Sequence, residues 1–182
     1  MRHIKFIRSI SLIISLFLIT SCSNNSAMKP EDFKNKEPRL VIEEYMTGNV
    51  KAWGVLQNRS GKVTRQFSAD LNGSWDGKQL ILKEKFNWDD GEVQDREWII
   101  NKIDENYYEG TAGDVVGKAK GFSYGPAFKF EYVLLVPVKG KEMKITFADW
   151  LFKQDDRVAI NRATMTKFGF KVAELTVVFV KD

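Results

Sequence analysis

Between residues 37 and 182 the chain is cut repeatedly by short glycine- or aspartate-centred breaks: Gly48-Asn49, Ser60-Gly61, Asn72-Gly73, Asp76-Gly77, Asp90-Gly91, Gly125-Pro126, Lys139-Gly140 and Asp155-Asp156. The runs between them are rich in Val, Ile, Phe, Trp and Tyr. Such breaks are hairpin signals, because Gly, Asn and Asp accept the backbone angles that tight reversals demand. Within the runs the side chains alternate, most clearly in Leu80, Leu82, Glu84, Phe86, Trp88 and in Phe128, Phe130, Tyr132, Leu134, Val136. Period two describes a strand with one buried face, and no long window sustains the 3.6-residue stripe of a helix. Only residues 32–45 leave room for a short helix. About eight to ten antiparallel strands with no layer of helices must close on themselves or form a sandwich to protect their edges. Because nearly every link is short enough for a hairpin, the expectation is an all-β fold: a single antiparallel up-and-down β-barrel over residues 37–182, with at most a short N-terminal helix. The last strand, residues 168–181, is apolar on both faces in its second half and is expected to be covered on both sides.

The N-terminus has a different logic. Arg2, Lys5 and Arg8 precede a run, residues 10–19, that is apolar apart from Ser11 and Ser15, and small Ser21 precedes Cys22. This is the layout of an export signal over residues 1–21, and the apolar run is too short to cross a bilayer comfortably. A short N-terminal anchor or an ordinary secretory signal are the alternatives. Leu18-Ile19-Thr20-Ser21-Cys22 resembles the lipobox of bacterial lipoproteins, which implies cleavage before Cys22, acylation of that residue and attachment to a membrane; Ser at position 23 implies sorting to the outer membrane, with the domain facing the periplasm. Residues 22–36 are polar, poor in aliphatics and expected to form a flexible tether.

Cleavage there would change the inventory. Residues 1–21 hold three of the 28 Lys and Arg and none of the 24 Asp and Glu, leaving 25 basic against 24 acidic side chains. The computed pI near 9.0 is therefore no footprint of a nucleic-acid binder, and no basic stripe with interleaved aromatics supports one. His3 is the only histidine and Cys22 the only cysteine. A mature domain without imidazole or free thiol has no Cys/His metal site, no Cys-His nucleophile, no Ser-His-Asp triad and no internal disulfide, and no cofactor signature is evident. Gly121-Phe122-Ser123-Tyr124-Gly125 matches the G-x-S-x-G elbow, but Pro126 and an alternating run follow where a helix is required, so it reads as a turn. Gly110, Gly113, Gly117 and Gly121 around Asp114 likewise suggest bulges or close strand contacts rather than a phosphate loop, which would open a helix.

One hairpin fixes a register. If Asp89-Asp90-Gly91 is a three-residue loop with glycine in the left-handed position, Glu84 faces Arg96, Phe86 faces Gln94 and Leu82 faces Trp98. An ion pair then stands on an aromatic face that includes Phe86, Trp88 and Trp98. Burying either charge alone would cost several kcal/mol, so the two should pair inside the barrel or at its mouth. Alternation also places Asp149, between Phe147 and Leu151, and Arg162, between Ile160 and Thr164, on the inner face. Such groups either plug the core by pairing with one another or orient an amphipathic ligand in a pocket. The five tryptophans, Trp53, Trp75, Trp88, Trp98 and Trp150, are expected as core or barrel-end plugs, with one or two lining a pocket.

Several blocks in order, Leu82-x-Glu84-x-Phe86 with Asp90-Gly91 and Arg96-x-Trp98, Gly110-Thr-Ala-Gly-Asp114-Val-Val-Gly117-Lys-Ala-Lys-Gly121, Asp149-Trp150, and Asn161-Arg-Ala-Thr-Met-Thr-Lys167-Phe168-Gly169, resemble the bacterial lipoprotein family of domain of unknown function 3833. The resemblance spans almost the whole domain and implies a lipocalin-like barrel in the outer membrane or periplasm, with no catalytic residues to transfer. The chain departs from the family pattern at Ala148-Asp149-Trp150, where Asp-Asp-Trp is usual, and at Pro126. Three functions remain open: binding of a lipid or other small hydrophobic molecule, the leading reading; a structural or assembly accessory of the envelope with a filled barrel; and an enzyme using carboxylate or tyrosine acid-base chemistry on a lipid-like substrate.

Overall fold

The Asp89-Asp90-Gly91 turn shows how local chemistry sets the sheet. Gly91 takes φ +87°, the Trp88 backbone N–H donates to the Glu92 carbonyl at 2.9 Å, and Glu84 stands opposite Arg96, Phe86 opposite Gln94 and Leu82 opposite Trp98. Reversals of this kind along the chain produce ten strands: β1 (Gly48–Asn58), β2 (Val63–Trp75), β3 (Gln79–Trp88), β4 (Val93–Lys102), β5 (Tyr107–Thr111), β6 (Ala119–Tyr124), β7 (Ala127–Val138), β8 (Lys141–Lys153), β9 (Val158–Lys167) and β10 (Phe170–Lys181). The structure is a computed structural model and describes residues 27–138 and 140–182. Cys22 and the expected export signal lie outside the described residues.

Each strand pairs antiparallel with the next, and β10 returns to β1 from Val50 opposite Lys181 to Asn58 opposite Ala173. The result is a closed up-and-down barrel, which removes the edges that an open sheet would expose. Up-and-down order puts the β1–β2, β3–β4, β5–β6, β7–β8 and β9–β10 links at one end, the mouth. The other end is shut by the chain that precedes β1. Its short α-helix, α1 (Ile42–Met46), buries Ile42, Tyr45 and Met46 together with Leu40. Tyr45 donates its hydroxyl to the carbonyls of Arg157 (2.9 Å) and Phe179 (3.2 Å), and the Leu40 N–H donates to the Gly125 carbonyl (2.8 Å). The cap is thereby tied to loops and strands on several sides. Every strand and the cap fall within residues 40–181.

The stretch with room for a helix forms α1 and a turn of 3₁₀ helix, Pro30–Phe33. That turn falls within the expected tether, yet it lies against the barrel wall: the Phe33 ring is 5.9 Å from that of Trp150 and 5.4 Å from that of Phe152. Alternation sends side chains into the interior from every strand. Glycine has a specific use here: a side chain at Gly110 would meet the Phe130 ring, and one at Gly121 the Phe128 ring. Both glycines make space for aromatic groups projecting from β7, the close contact expected of this glycine-rich stretch. Two expectations fail on the outer face. The second half of β10 is not covered on both sides, because Val178 pairs across β1 with Trp53, which is 50% exposed; these two shield each other instead of meeting another layer. Trp53 and Trp150 accordingly stand outside the barrel, not in its core.

Candidate functional site

Ten strands enclose more width than their inner side chains fill. A cavity of 330 Å³ runs up the barrel from α1, a size within the range of small-molecule sites. Ile42 and Met46 from α1, with Leu71, Leu82 and Ile100, make an apolar floor, while Phe67, Phe86, Trp88, Val136 and Met165 line the upper wall toward the mouth. Between the two lies a polar belt with one side chain each from β3, β4, β7, β8 and β9 and one from the β5–β6 link.

The belt is assembled around Arg96. Its Nε and one terminal nitrogen both donate to Asp114 Oδ2, at 3.1 and 2.7 Å, and its other terminal nitrogen lies 3.9 Å from Glu84 Oε2. Tyr132 donates its hydroxyl to Asp149 Oδ2 at 3.0 Å. In the belt Asp114 Oδ1, Asp149 Oδ1 and Asn161 Oδ1 are buried without a hydrogen-bond partner, as are two donors nearer the mouth, Arg65 Nε and Trp88 Nε1. Buried polar groups are paired in the great majority of folded proteins, so three open acceptors together in the belt mark a place where acceptor capacity exceeds the donors the chain supplies there. Burial pushes the Glu84 carboxyl up to about 7; Arg96 opposes this, and the nearby charges of Asp149 and Asp114 add to it. Burial likewise raises Asp149 to about 7 against the Tyr132 hydrogen bond, Arg96 and the Asn161 amide, and it lifts the Tyr132 hydroxyl well above its ordinary range. At the mouth, Arg65 lies 4.0 Å over the Trp88 ring and bonds Asp90 (2.7 Å) and Glu92 (2.9 Å).

Beneath the cavity the same residue types form a complete set. Glu43, on α1, accepts hydrogen bonds from Lys102 (2.5 Å) and from the Tyr108 hydroxyl (2.9 Å). Burial alone would raise Glu43, yet the bonds from Lys102 and Tyr108 hold it below the usual carboxylate range.

Of the side chains singled out from sequence, Glu84, Arg96, Asp149, Phe86, Trp88 and Trp98 all line the cavity. Arg162 does not. It stands on the outer face with its side chain 66% exposed, 3.6 Å from Glu174. In the β8–β9 register Asp149 lies opposite Ala163 and Leu151 opposite Asn161, so Ala159, Asn161 and Ala163 point inward and Arg162 is one position out of phase. Asp114, Tyr132 and Asn161 complete the belt. Ser123, the centre of the elbow-like motif, is buried on β6 and donates its hydroxyl to the Leu40 carbonyl at 2.8 Å, a structural tie to the cap. Among the described residues no group of three or more Asp, Glu, His or Cys gathers to hold a metal ion.

Fold and site together define a lipocalin-like barrel, closed at one end and hollow in the middle. The sequence model of one family, "Protein of unknown function (DUF3833)", matches residues 16–181, and the chain belongs to that family. No curated protein matches. Among solved structures, the chain is similar to an S-type phycobiliprotein lyase from Guillardia theta, at 10% identity and TM-score 0.58, covering 77% of this chain and 90% of that one. It is also similar to a protein of unknown function of the DUF3598 family from Nostoc punctiforme, at 12% identity and TM-score 0.59, covering 81% of this chain and 51% of that one. At such identities the likeness is one of fold.

Proposed function

We propose that this protein is a membrane-tethered binding protein that holds one lipid or other small hydrophobic molecule inside its barrel. The observation that carries this reading is the 330 Å³ cavity with an apolar floor, an aromatic upper wall and a polar belt holding three open acceptors. The accessory reading needed a filled barrel, and the hollow counts against it. Acylation of Cys22 would place the domain at the outer membrane, facing the periplasm. The β9–β10 hairpin tip supports a setting beside lipid: Phe168 and Phe170 are 88% and 77% exposed, and Lys167 and Lys171 flank them. An aromatic tip between cations suits the boundary between acyl chains and headgroups. The phycobiliprotein lyase offers a precedent only for the barrel.

The test is native mass spectrometry of the chain from Ser23 onward, which retains the whole barrel, followed by extraction of whatever travels with it. One apolar molecule per chain is the expected result; no adduct, together with no uptake of apolar dyes, would refute the reading. Fatty-acid labelling in cells tests the anchor and should be lost in Cys22→Ser. A second reading, acid-base catalysis on a lipid-like substrate, is favoured by one observation: Glu84 and Asp149 titrate near 7 within a cleft, where a carboxyl can both take and give a proton. It predicts turnover of the extracted molecule that Asp149→Asn abolishes.

A further inference from the structure

Charges facing the cavity are out of balance. At the mouth Arg65 is already matched by Asp90 and Glu92, but in the belt Glu84 on β3, Asp114 on the β5–β6 link and Asp149 on β8 have one guanidinium between them, Arg96 on β4, with Tyr132 on β7 and Asn161 on β9 as the neutral members. Arg96 directs two of its nitrogens at Asp114 and the third toward Glu84, so Asp149 is left with neutral neighbours, the Tyr132 hydroxyl and the Asn161 amide, and with Oδ1 short of a well-formed hydrogen bond. The triad under the floor shows what is missing. Glu43 has a tyrosine and a lysine; Asp149 has a tyrosine and an amide, Asn161, but no cation bonded to it. Among the described residues no lysine lines the cavity.

We propose that the polar end of the ligand is an ammonium group that sits against Asp149 Oδ1 and Asn161 Oδ1 and takes the place that Lys102 holds beside Glu43. This rests on the reading of the cavity as a ligand site and narrows it to an apolar body with a cationic amine head. A carboxylate or phosphate head would bring a further negative charge among three carboxyls in a poorly solvated space, where like charges repel strongly. An ammonium has three donors and no acceptor, which matches open acceptors, and charge-assisted bonds of this kind are about twice as strong as neutral ones. Metal cations are a poorer fit, since the carboxyls do not gather as a ligand set. Placing a cation there favours the ionised form of Asp149 and Glu84, so amine binding should release protons near pH 7 and strengthen between pH 6 and pH 8, where an alkylamine stays charged.

Three twelve-carbon probes, dodecylamine, dodecanol and dodecanoate, kept below their aggregation limits and competed against a bound apolar fluorophore on the chain from Ser23 onward, test the proposal. Dodecylamine should bind about tenfold tighter than dodecanol or better, with dodecanoate the weakest. Asp149→Asn should erase the amine preference while leaving dodecanol binding in place, and calorimetry of the wild-type chain in two buffers should record proton release with the amine, a readout independent of any variant. Dodecanoate binding as well as the amine, or an amine preference that survives in a folded Asp149→Asn, would overturn the proposal while leaving the barrel a binding protein. If no probe and no fluorophore bound, the binding function itself would fall, and this inference with it.

Discussion

The floor and the belt are two answers to one problem, a carboxylate inside a barrel. Under the floor, Glu43 meets both Lys102 and Tyr108 and is held below its usual range. In the belt, Asp149 meets only the neutral Tyr132 and Asn161, Glu84 shares its arginine with Asp114, and both carboxyls are raised to about 7. A finished network fixes a structure; an unfinished one lowers stability and leaves capacity for something from outside. The difference marks Glu43 as part of the cap and Asp149 as part of a site.

Substitution should separate the two most sharply. Lys102→Met strands the Glu43 carboxylate and is expected to cost about 3 kcal/mol, seen as a fall in melting temperature of about 10 °C. Asp149→Asn keeps an oxygen for Tyr132 and removes surplus charge, so at pH 8 the ligand-free barrel should gain about 1–2 kcal/mol. The same kind of change thus has opposite signs at the two places, and equal losses would break the contrast.

The pH profile follows from the direction of each shift. Glu84 and Asp149 have folded pKa values near 7, above their ordinary 4.5 and 3.8. Between about pH 4 and pH 7 the folded state therefore holds more protons than the unfolded one, and stability falls as pH rises through that window. Glu43 works the other way: its contribution is full above 4.5 and disappears only as pH falls through its lowered folded value. Thermal melts of the ligand-free chain should decline from pH 5 to pH 8, with a smaller slope in Asp149→Asn. The smallest effect belongs to the rim. Phe168 takes φ +51°, an uncomfortable angle for a bulky residue. Phe168→Asn should leave stability unchanged or raise it by less than about 1 kcal/mol, while reducing retention of the chain on anionic lipid vesicles.

Legibility from the sequence followed sequence distance. Strand alternation and turn residues carried the barrel, and one turn, Asp89-Asp90-Gly91, carried the Glu84–Arg96 register, because the two residues are bound to the same hairpin. Nothing in the sequence marks Asp114 as Arg96's partner, since it enters the interior from a link whose path no periodicity describes. From sequence Arg162 reads as inward because Ile160 and Thr164 imitate an inner row, while two of the three true inner residues of β9, Ala159 and Ala163, are too small to stand out beside Asn161. The β8 pairing supplies the missing signal: once Asp149 faces inward, its partner Ala163 must do so too. The Glu43 triad draws on α1, the end of β4 and β5, and nothing local joins them.

A carbon-detected NMR titration of the side-chain carboxyls, with and without dodecylamine, tests the central contrast most directly. Glu84 and Asp149 should titrate near 7 in the free chain and fall by about one unit or more when the amine binds, while Glu43 stays below 4.5 throughout. Belt carboxyls that titrate near 4 in the free chain, or that ignore the amine, would contradict the account.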